Sequence, residues 1–288
     1  MAYPFATLQP EYAHLLSVAK ITRPGPVHAG VAEIMKVIDS YVATSAATKI
    51  PAAWIGPTDC REDDCNPNAG IGQGDPWRQV SRHVPAGHGP FASKAAADQF
   101  YLHYDHIDVL EPGVSAWTLP YACYCWERWN GFGPRAYGRI SGYLFSCMDV
   151  YDTPAYGGHG KGGKYVSDKR WSSTAVDVQP GAVPLYLELI KIRPDLTISA
   201  IPVIAGATVP LVPAAPPVGV HDAAALQAVL NMLGADPQLE VDNNYGRKTI
   251  RTVRAFQELV GIGVDGIAGD ETWAAINEKL KAIGAPVS

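Results

Sequence analysis

The chain has 288 residues, of which 47% are hydrophobic and 18% charged, and its formal net charge is −5 at pH 7. This length suffices for a sizeable core and a second small domain, and the lack of a Lys/Arg-rich run argues against a nucleic-acid partner. The first ten residues have neither a basic region nor an apolar run, so they do not predict a signal peptide. We therefore expect the chain to be made in the cytoplasm without a secretion signal.

Apolar residues recur at helical spacing in the first part of the chain. Residues 93–105 and 116–128 favour helices, and so do residues 28–47. The apolar face of 28–47 consists of Val31, Ile34, Met35, Ile38 and Val42. Residues 66–90 are rich in Gly, Pro and Asn and predict a loop or a small hairpin, where binding groups are commonly placed. The fold class predicted for this part is mainly α.

An uncharged stretch, residues 197–220, follows this part of the chain. It contains five prolines, Pro202, Pro210, Pro213, Pro216 and Pro217. Each proline removes a backbone donor and breaks a helix, so the stretch predicts a semi-rigid Pro/Ala linker rather than a membrane-spanning helix. We therefore expect no stable membrane insertion and a division into domains at 1–196 and 221–288.

The last part of the chain predicts three short helices, at residues 222–233, 247–260 and 270–282. Their apolar faces consist of Leu226, Val229, Leu230 and Leu233, then Val253, Phe256, Leu259 and Val260, then Trp273, Ile276 and Leu280. Gly234 suits the end of the first helix, because glycine adopts the left-handed backbone that helix ends require. These elements predict a small three-helix bundle.

The pattern VDxxxGxxT occurs twice in this bundle, at residues 241–249 and 264–272. Asp242 and Asp265 suit tight turns, Gly246 and Gly269 suit a positive φ, and the two threonines can cap the following helices. Residues 221–282 resemble the three-helix peptidoglycan-binding domain that accompanies many cell-wall hydrolases. The resemblance implies that bacterial peptidoglycan is the partner and that Asn243, Asn244 and Tyr245 line a ligand groove near the first turn.

Six short motifs follow one another between residues 50 and 172. They are Arg61-Glu62, Gly74-Asp75-Pro76, the VPxG at 84–87, the RWNGFG at 128–133, the YLFS at 143–146 and the GKYV at 163–166. In this order they resemble the lysozyme-like catalytic domain of phage endolysins, with helices on both sides. This chain has Asp59 where members of that family often carry a His three residues before the Glu, and Pro57 is expected to interrupt the preceding helix. The resemblance implies a monomeric endolysin that needs no cofactor and reaches the wall once the host membrane is permeabilised.

Cleavage of a glycan by such a domain requires a carboxylic acid that protonates the leaving oxygen. We assign this role to Glu62 and expect Trp54, Trp126 and Trp129 to wall it and raise its pKa. Asp75, with Ser81 six residues later, is the predicted second group, although Asp75 also suits a turn, and Asp63 and Asp64 are alternatives.

The predicted substrate-binding residues are Trp129, Asn130, Tyr143 and Tyr165. Asn130 and the two tyrosines are candidates for contacts with sugar amides and hydroxyls, and each also suits core or turn structure. The reaction that the resemblance implies is hydrolysis by a muramidase. A lytic transglycosylase, which uses one Glu and lets the muramyl 6-hydroxyl attack, is the alternative on the same bond.

Two other classes of protein remain open. A zinc amidase or peptidase could use five histidines, His83, His88, His103, His106 and His159, but no HExxH motif is present and we expect no metal site. A wall-binding protein without catalysis, such as a phage tail component, would bind sacculi and never clear them. The five cysteines are an odd number and favour free thiols, although Cys60 and Cys65 are close enough in sequence to pair.

Overall fold

The computed structural model describes residues 3–71, 74–83, 85–167, 170–198, 223–236, 238–241, 245, 247–264, 266 and 268–282. Within these residues the chain forms ten α-helices and one pair of short strands. The predicted mainly α fold class is therefore confirmed. None of the described helices is long and apolar enough to cross a membrane. The predicted linker falls almost entirely on residues 199–220, outside the described ranges, and stays a prediction.

The helices follow one another along the chain with three short 3₁₀ segments, at 133–137, 154–156 and 194–196, between them. The elements are α1 (Phe5–Val18), α2 (Pro24–Thr48), α3 (Ala52–Asp63), α4 (Lys94–Tyr104), α5 (Leu119–Asn130), α6 (Gly142–Phe145), β1 (Lys164–Ser167), β2 (Arg170–Ser172), α7 (Ala182–Ile192), α8 (Ala223–Met232), α9 (Arg247–Val260) and α10 (Asp270–Ala282).

The first hydrophobic core is built around α2, α3 and α7, which pack against one another. α2 begins at Pro24, where a proline costs no helical hydrogen bond, and ends at Lys49 in the left-handed conformation. Its buried face runs through Ile38 to Tyr41 rather than to Val42, which is 38% exposed. The predicted burial of Val42 is wrong, because the Tyr41 hydroxyl turns inward to donate a 2.6 Å hydrogen bond to Asp59.

Helix α3 continues through Pro57, so the predicted interruption at that residue is wrong. Every residue from Ala52 to Cys60 is buried, and the packing of neighbouring helices on all sides holds the helix together where the proline lacks its backbone donor. One close approach is at Gly56, where a Cβ atom would lie 2.8 Å from a methyl group of Ile34 on α2. Helix α3 therefore lies at the centre of the first core, and its last turn carries the Arg61-Glu62 motif.

A buried ion cluster fastens α3 to α4. The Lys94 ammonium lies 3.0 Å from Asp59 and 3.4 Å from Asp98, and it also donates a 2.8 Å hydrogen bond to the carbonyl of Ala69. Asp98 in turn accepts a hydrogen bond from the backbone of Ile71. Burial raises the pKa values of both carboxyls, although the Lys94 ammonium between them acts in the opposite direction.

Strands β1 and β2 pair in antiparallel fashion, while the described residues between 66 and 90 lie outside helices and strands and contain one isolated bridge, between Ala69 and Pro76. Tyr165 pairs with Trp171 across the two strands, and a bulge follows between Tyr165 and Ser167. The two strands thus bring the rings of Tyr165 and Trp171 together, with centroids 5.2 Å apart.

The second hydrophobic core joins α8, α9 and α10, whose bounds agree with the predicted helices. Gln227 donates a hydrogen bond to the Thr249 hydroxyl, and Gln257 does the same to Thr272. The repeated threonines therefore link consecutive helices as well as beginning them. Leu259 is 75% exposed, so its predicted burial is wrong; Phe256, three residues earlier, faces the core instead.

We predict that Lys94→Met lowers the free energy of unfolding by about 3–5 kcal/mol, because it leaves two buried carboxyls without their cation. Lys36→Met on the exposed face of α2 is the matched control, with an expected change below about 1 kcal/mol. Urea denaturation followed by circular dichroism measures both variants. Equal losses in the two variants would contradict the importance of the cluster.

Candidate active site

Glu62 lies in the last turn of α3 and is held by two aromatic side chains. The indole Nε1 of Trp129 and the hydroxyl of Tyr143 both donate hydrogen bonds to Oε1 of Glu62, at 2.9 and 3.0 Å. Trp129 comes from the end of α5 and Tyr143 from α6, so three separate motifs meet at one carboxylate. Of the predicted site residues, these three are brought into direct contact.

Arg61 anchors the same turn of α3 from the other side. Its guanidinium donates to the carboxylate of Asp177 at 2.9 Å and to the backbone carbonyl of Gln179 at 3.1 Å, and it lies 4.7 Å from the ring centre of Tyr143. Burial alone would raise the pKa of Asp177, but the adjacent Arg61 holds it below its usual value. Sequence reasoning assigned no role to Asp177, because it lies 116 residues from Arg61 and forms no local pattern with it.

The motif that supplies Trp129 is otherwise structural. Glu127 forms a buried ion pair with Arg135 at 2.8 Å, and Arg128 pairs with Glu111. Only glycine fits at position 133, because a Cβ there would lie 2.8 Å from the ring of Tyr165. The ring of Tyr165 therefore packs directly on the turn that follows α5.

The other predicted aromatic walls of Glu62 belong to the core. Trp54 and Trp126 are fully buried, with parallel rings 6.2 Å apart. Their indole nitrogens donate to the carbonyl of Ala122 and to the hydroxyl of Thr58. The predicted wall therefore reduces to Trp129, while Asn130 is exposed at the end of α5.

Asp75 and Ser81 hold the loop between α3 and α4. Asp75 Oδ2 accepts from the backbone N–H groups of Arg82 and His83, and Oδ1 lies 2.9 Å from the His83 ring. Burial alone would raise the pKa of Asp75, but these contacts with His83 and Arg82 lower it below its usual value. Ser81 donates to the carbonyl of Pro85 and accepts from the backbone of His88. Their catalytic roles stay predictions.

Asp63 directly follows Glu62 and is an unusual carboxyl. Its Oδ2 is buried and has no hydrogen-bond partner among the described residues. Burial, followed by the charge of Asp59, raises the pKa of Asp63 to about 6 in spite of the nearby Lys94. A carboxyl with a pKa in this range can hold a proton close to neutral pH.

The cysteines and histidines form no additional centre in the parts of the chain that the structure describes. All five cysteines are free and buried. His83, His103 and His159 each lie beside an aspartate, at 2.9, 2.7 and 3.6 Å. The described residues contain no group of three or more His, Cys, Asp or Glu side chains placed to hold a metal ion.

Helix α9 of the second core packs on the first core beside Trp129. Arg251 forms a two-pronged ion pair with Asp105, both distances being 2.6 Å, and each side chain is 5% exposed. Arg254 donates to the backbone carbonyl of Asp105. Burial alone would lower the pKa of Arg251, but Asp105, and to a smaller extent Tyr104 and Glu62, raise it above its usual value. Glu62 therefore contributes to the raised pKa of an arginine at the contact between the two cores.

Of the three predicted ligand contacts in the second core, Asn243 and Asn244 lie outside the described residues. The hydroxyl of Tyr245 donates to the carbonyl of Gly266 and accepts from the N–H of Ala268. Tyr245 thus connects the two VDxxxGxxT turns, and a direct role in binding stays a prediction.

Comparison with known proteins identifies the C-terminal part of the chain. Residues 221–276 match the family model described as "Putative peptidoglycan binding domain". Searches of curated proteins and of solved structures gave no match. The predicted peptidoglycan-binding module is therefore supported, with bacterial peptidoglycan as the partner.

We predict that Asp63→Asn raises the melting temperature at pH 8 and leaves it unchanged at pH 4. Because the pKa of Asp63 is raised to about 6 on folding, its contribution to stability is complete below about pH 4 and is lost as the pH rises through 6. After a discount for solvent screening the expected gain at pH 8 is about 1 kcal/mol, or about 2–4 °C. Asp39→Asn, at an exposed residue of α2, is the control and should change the melting temperature little and by the same amount at both pH values. A pH-independent effect of Asp63→Asn would contradict the prediction.

We predict that Arg251→Ala separates the module from the first core. Truncating one partner of a buried charge pair costs about 2–5 kcal/mol, which removes much of the docking energy. Small-angle X-ray scattering of the full chain should then show a larger radius of gyration. Lys248→Ala, at an exposed residue of the same helix, should scatter like the unchanged chain. Identical profiles for both variants would mean that the Asp105 pair does not hold the module.

Proposed function

We propose that the chain is a modular endolysin, a glycosidase that cleaves the glycan strands of peptidoglycan with Glu62 as its proton donor. The observation that carries the proposal is the convergence of Trp129 and Tyr143 on Oε1 of Glu62. Two donors on one oxygen fix the orientation of the carboxyl, as a general acid requires. The wall-binding module supports the choice of peptidoglycan as substrate.

In the proposed reaction Glu62 protonates the glycosidic oxygen while the bond to the sugar carbon breaks. A second group then orients water or stabilises the positive charge that develops on the sugar. Asp75 and Asp63 are the two candidates. Asp63 immediately follows Glu62 and has a raised pKa. Asp75 instead accepts a hydrogen bond from the backbone of His83 in the loop between α3 and α4. Asn variants of each separate these roles.

The proposed place of action is the wall of a bacterial host, which the enzyme reaches from the cytoplasm once the membrane is permeabilised at the end of a phage cycle. Expression in a bacterial host tests this proposal, because turbidity should then fall only after the inner membrane is permeabilised. Cell lysis with an intact membrane would contradict it.

We predict that Glu62→Gln lowers the rate of sacculus clearing by about 10²–10⁴-fold, because the amide cannot donate the proton. Mass spectrometry of the released fragments gives the reaction type. New reducing ends indicate hydrolysis, and 1,6-anhydro-muramic ends indicate transglycosylation.

Glu33→Gln, at an exposed residue of α2 paired with Lys36, is the matched control and should clear sacculi at the unchanged rate. Free stem peptides would contradict a glycosidase. Full activity of Glu62→Gln would remove Glu62 from the mechanism.

A further inference from the structure

A cavity of about 170 Å³ lies beyond α6, apart from the Glu62 cluster. Its walls come from two segments, 138–140 and 150–162, the second of which turns through several glycines. At Gly160 a Cβ would lie 2.4 Å from the backbone of Tyr151, so the end of the second segment can fold back on its beginning only with glycine there. The cavity is therefore fixed by the backbone.

Two basic side chains of the described residues line the cavity. Arg139 and Lys161 both line it, and neither has an acid within ion-pair distance among the described residues. The Nε of Arg139 is buried and has no hydrogen-bond partner in the same part of the chain. His159 also lines the cavity, and its Nε2 lies 3.6 Å from the carboxylate of Asp149. A buried donor without a partner costs about 1–3 kcal/mol, which an anionic ligand would recover.

An aromatic surface adjoins this cavity. The rings of Tyr137 and Trp171 stack in parallel with centroids 4.4 Å apart, and Tyr137 is 46% exposed. A Cβ at Gly163 would touch both the Trp171 ring, at 2.6 Å, and the Arg139 side chain, at 3.3 Å. The aromatic stack and the cationic cavity therefore adjoin each other at Gly163.

The aromatic stack is connected to the Glu62 cluster by further contacts. Tyr165 lies edge-on to both stacked rings, at 6.2 and 5.2 Å, and packs on the backbone of Gly133. Gly133 follows α5 by three residues, and α5 carries Trp129, the partner of Glu62. The aromatic stack thus packs, through Tyr165, on the turn that directly follows the helix carrying Trp129.

We propose that Tyr137, Trp171, Arg139 and Lys161 form a binding site for a sugar that carries a carboxylate. A pyranose ring would lie on the exposed face of Tyr137, since aromatic rings supply a rigid apolar surface. The carboxylate would enter the cavity, where the planar guanidinium of Arg139 can bind it in bidentate fashion and Lys161 adds a second charge. The inference rests on the proposed function and specifies it. The bound unit is a muramyl residue with the free carboxylates of its peptide stem, rather than a neutral glucosamine unit.

The test uses the full chain with Glu62→Gln to prevent turnover, labelled with 5-fluorotryptophan. The seven tryptophans give separate fluorine resonances, and a Trp171→Phe spectrum assigns the one at this site. The Trp273 resonance reports on the wall-binding module in the same sample. The probes are a disaccharide tripeptide muropeptide, the same muropeptide with its peptide carboxylates amidated, and chitotetraose.

We expect the muropeptide to shift the Trp171 resonance with a dissociation constant about tenfold lower than that of the amidated form or of chitotetraose. Arg139→Gln should remove this tenfold difference, and Lys161→Gln, at an exposed residue, should reduce it without affecting folding. Tyr137→Ser should weaken the binding of all three probes. Lys36→Gln is the charge-matched control and should bind like its parent.

An unmoved Trp171 resonance, or equal affinity of Arg139→Gln and its parent for the muropeptide, would overturn the proposed site. Fragment analysis with the unsubstituted chain keeps the two proposals apart. Cleaved glycan without an effect of Arg139 refutes only this site, whereas released stem peptides refute the glycosidase.

Discussion

The Lys94 ammonium compensates two buried carboxylates, and through them it fixes the position of α3. Its partners lie on α3, on α4 and in the segment that joins them, at Asp59, Asp98 and the carbonyl of Ala69. Charges removed from water are tolerated only in such a closed arrangement, so the three segments have little freedom to move separately. Asp59 precedes Glu62 by less than one helical turn. The place of the candidate proton donor therefore follows from where the buried lysine holds the helix.

Helical periodicity predicted much of the fold. The bounds of α9 and α10 agree with the sequence pattern, whereas α1 and α7 were not predicted individually. The segment of α7, AVPLYLELIKI, has only two charged residues and a proline at its third position, and a short apolar run of this kind does not by itself distinguish a helix from a strand. At Val42 and Leu259 the helical spacing suggested burial, but the neighbouring residues Tyr41 and Phe256 occupy the core. Helical spacing thus shows that a helix has an apolar face, but it does not determine which residues at the edge of that face are buried.

The candidate site could be predicted only in part. Trp129 and Tyr143 lie 67 and 81 residues from Glu62, and the resemblance to a known family, rather than any local pattern, brought them onto one list of candidates. The ion pair of Arg251 with Asp105 spans 146 residues and has no sequence signal, because opposite charges occur throughout the chain. Asp75 had two interpretations in the sequence, and its contacts with the loop at 82–83 agree with the turn.

The second core, which contains the wall-binding module, packs directly on the first core. α9 packs beside Trp129, and the charge of Glu62 contributes to the raised pKa of Arg251. The module is therefore in contact with α5, the helix that carries Trp129, the partner of Glu62.

The central claim is that Glu62 faces the bond to be cleaved, and a crystal structure of the Glu62→Gln chain with a bound peptidoglycan tetrasaccharide tests it most directly. We expect a glycosidic oxygen within hydrogen-bond distance of the residue 62 side chain, about 2.6–3.2 Å. A saccharide bound elsewhere, with the residue 62 side chain pointing away from every glycosidic oxygen, would contradict it.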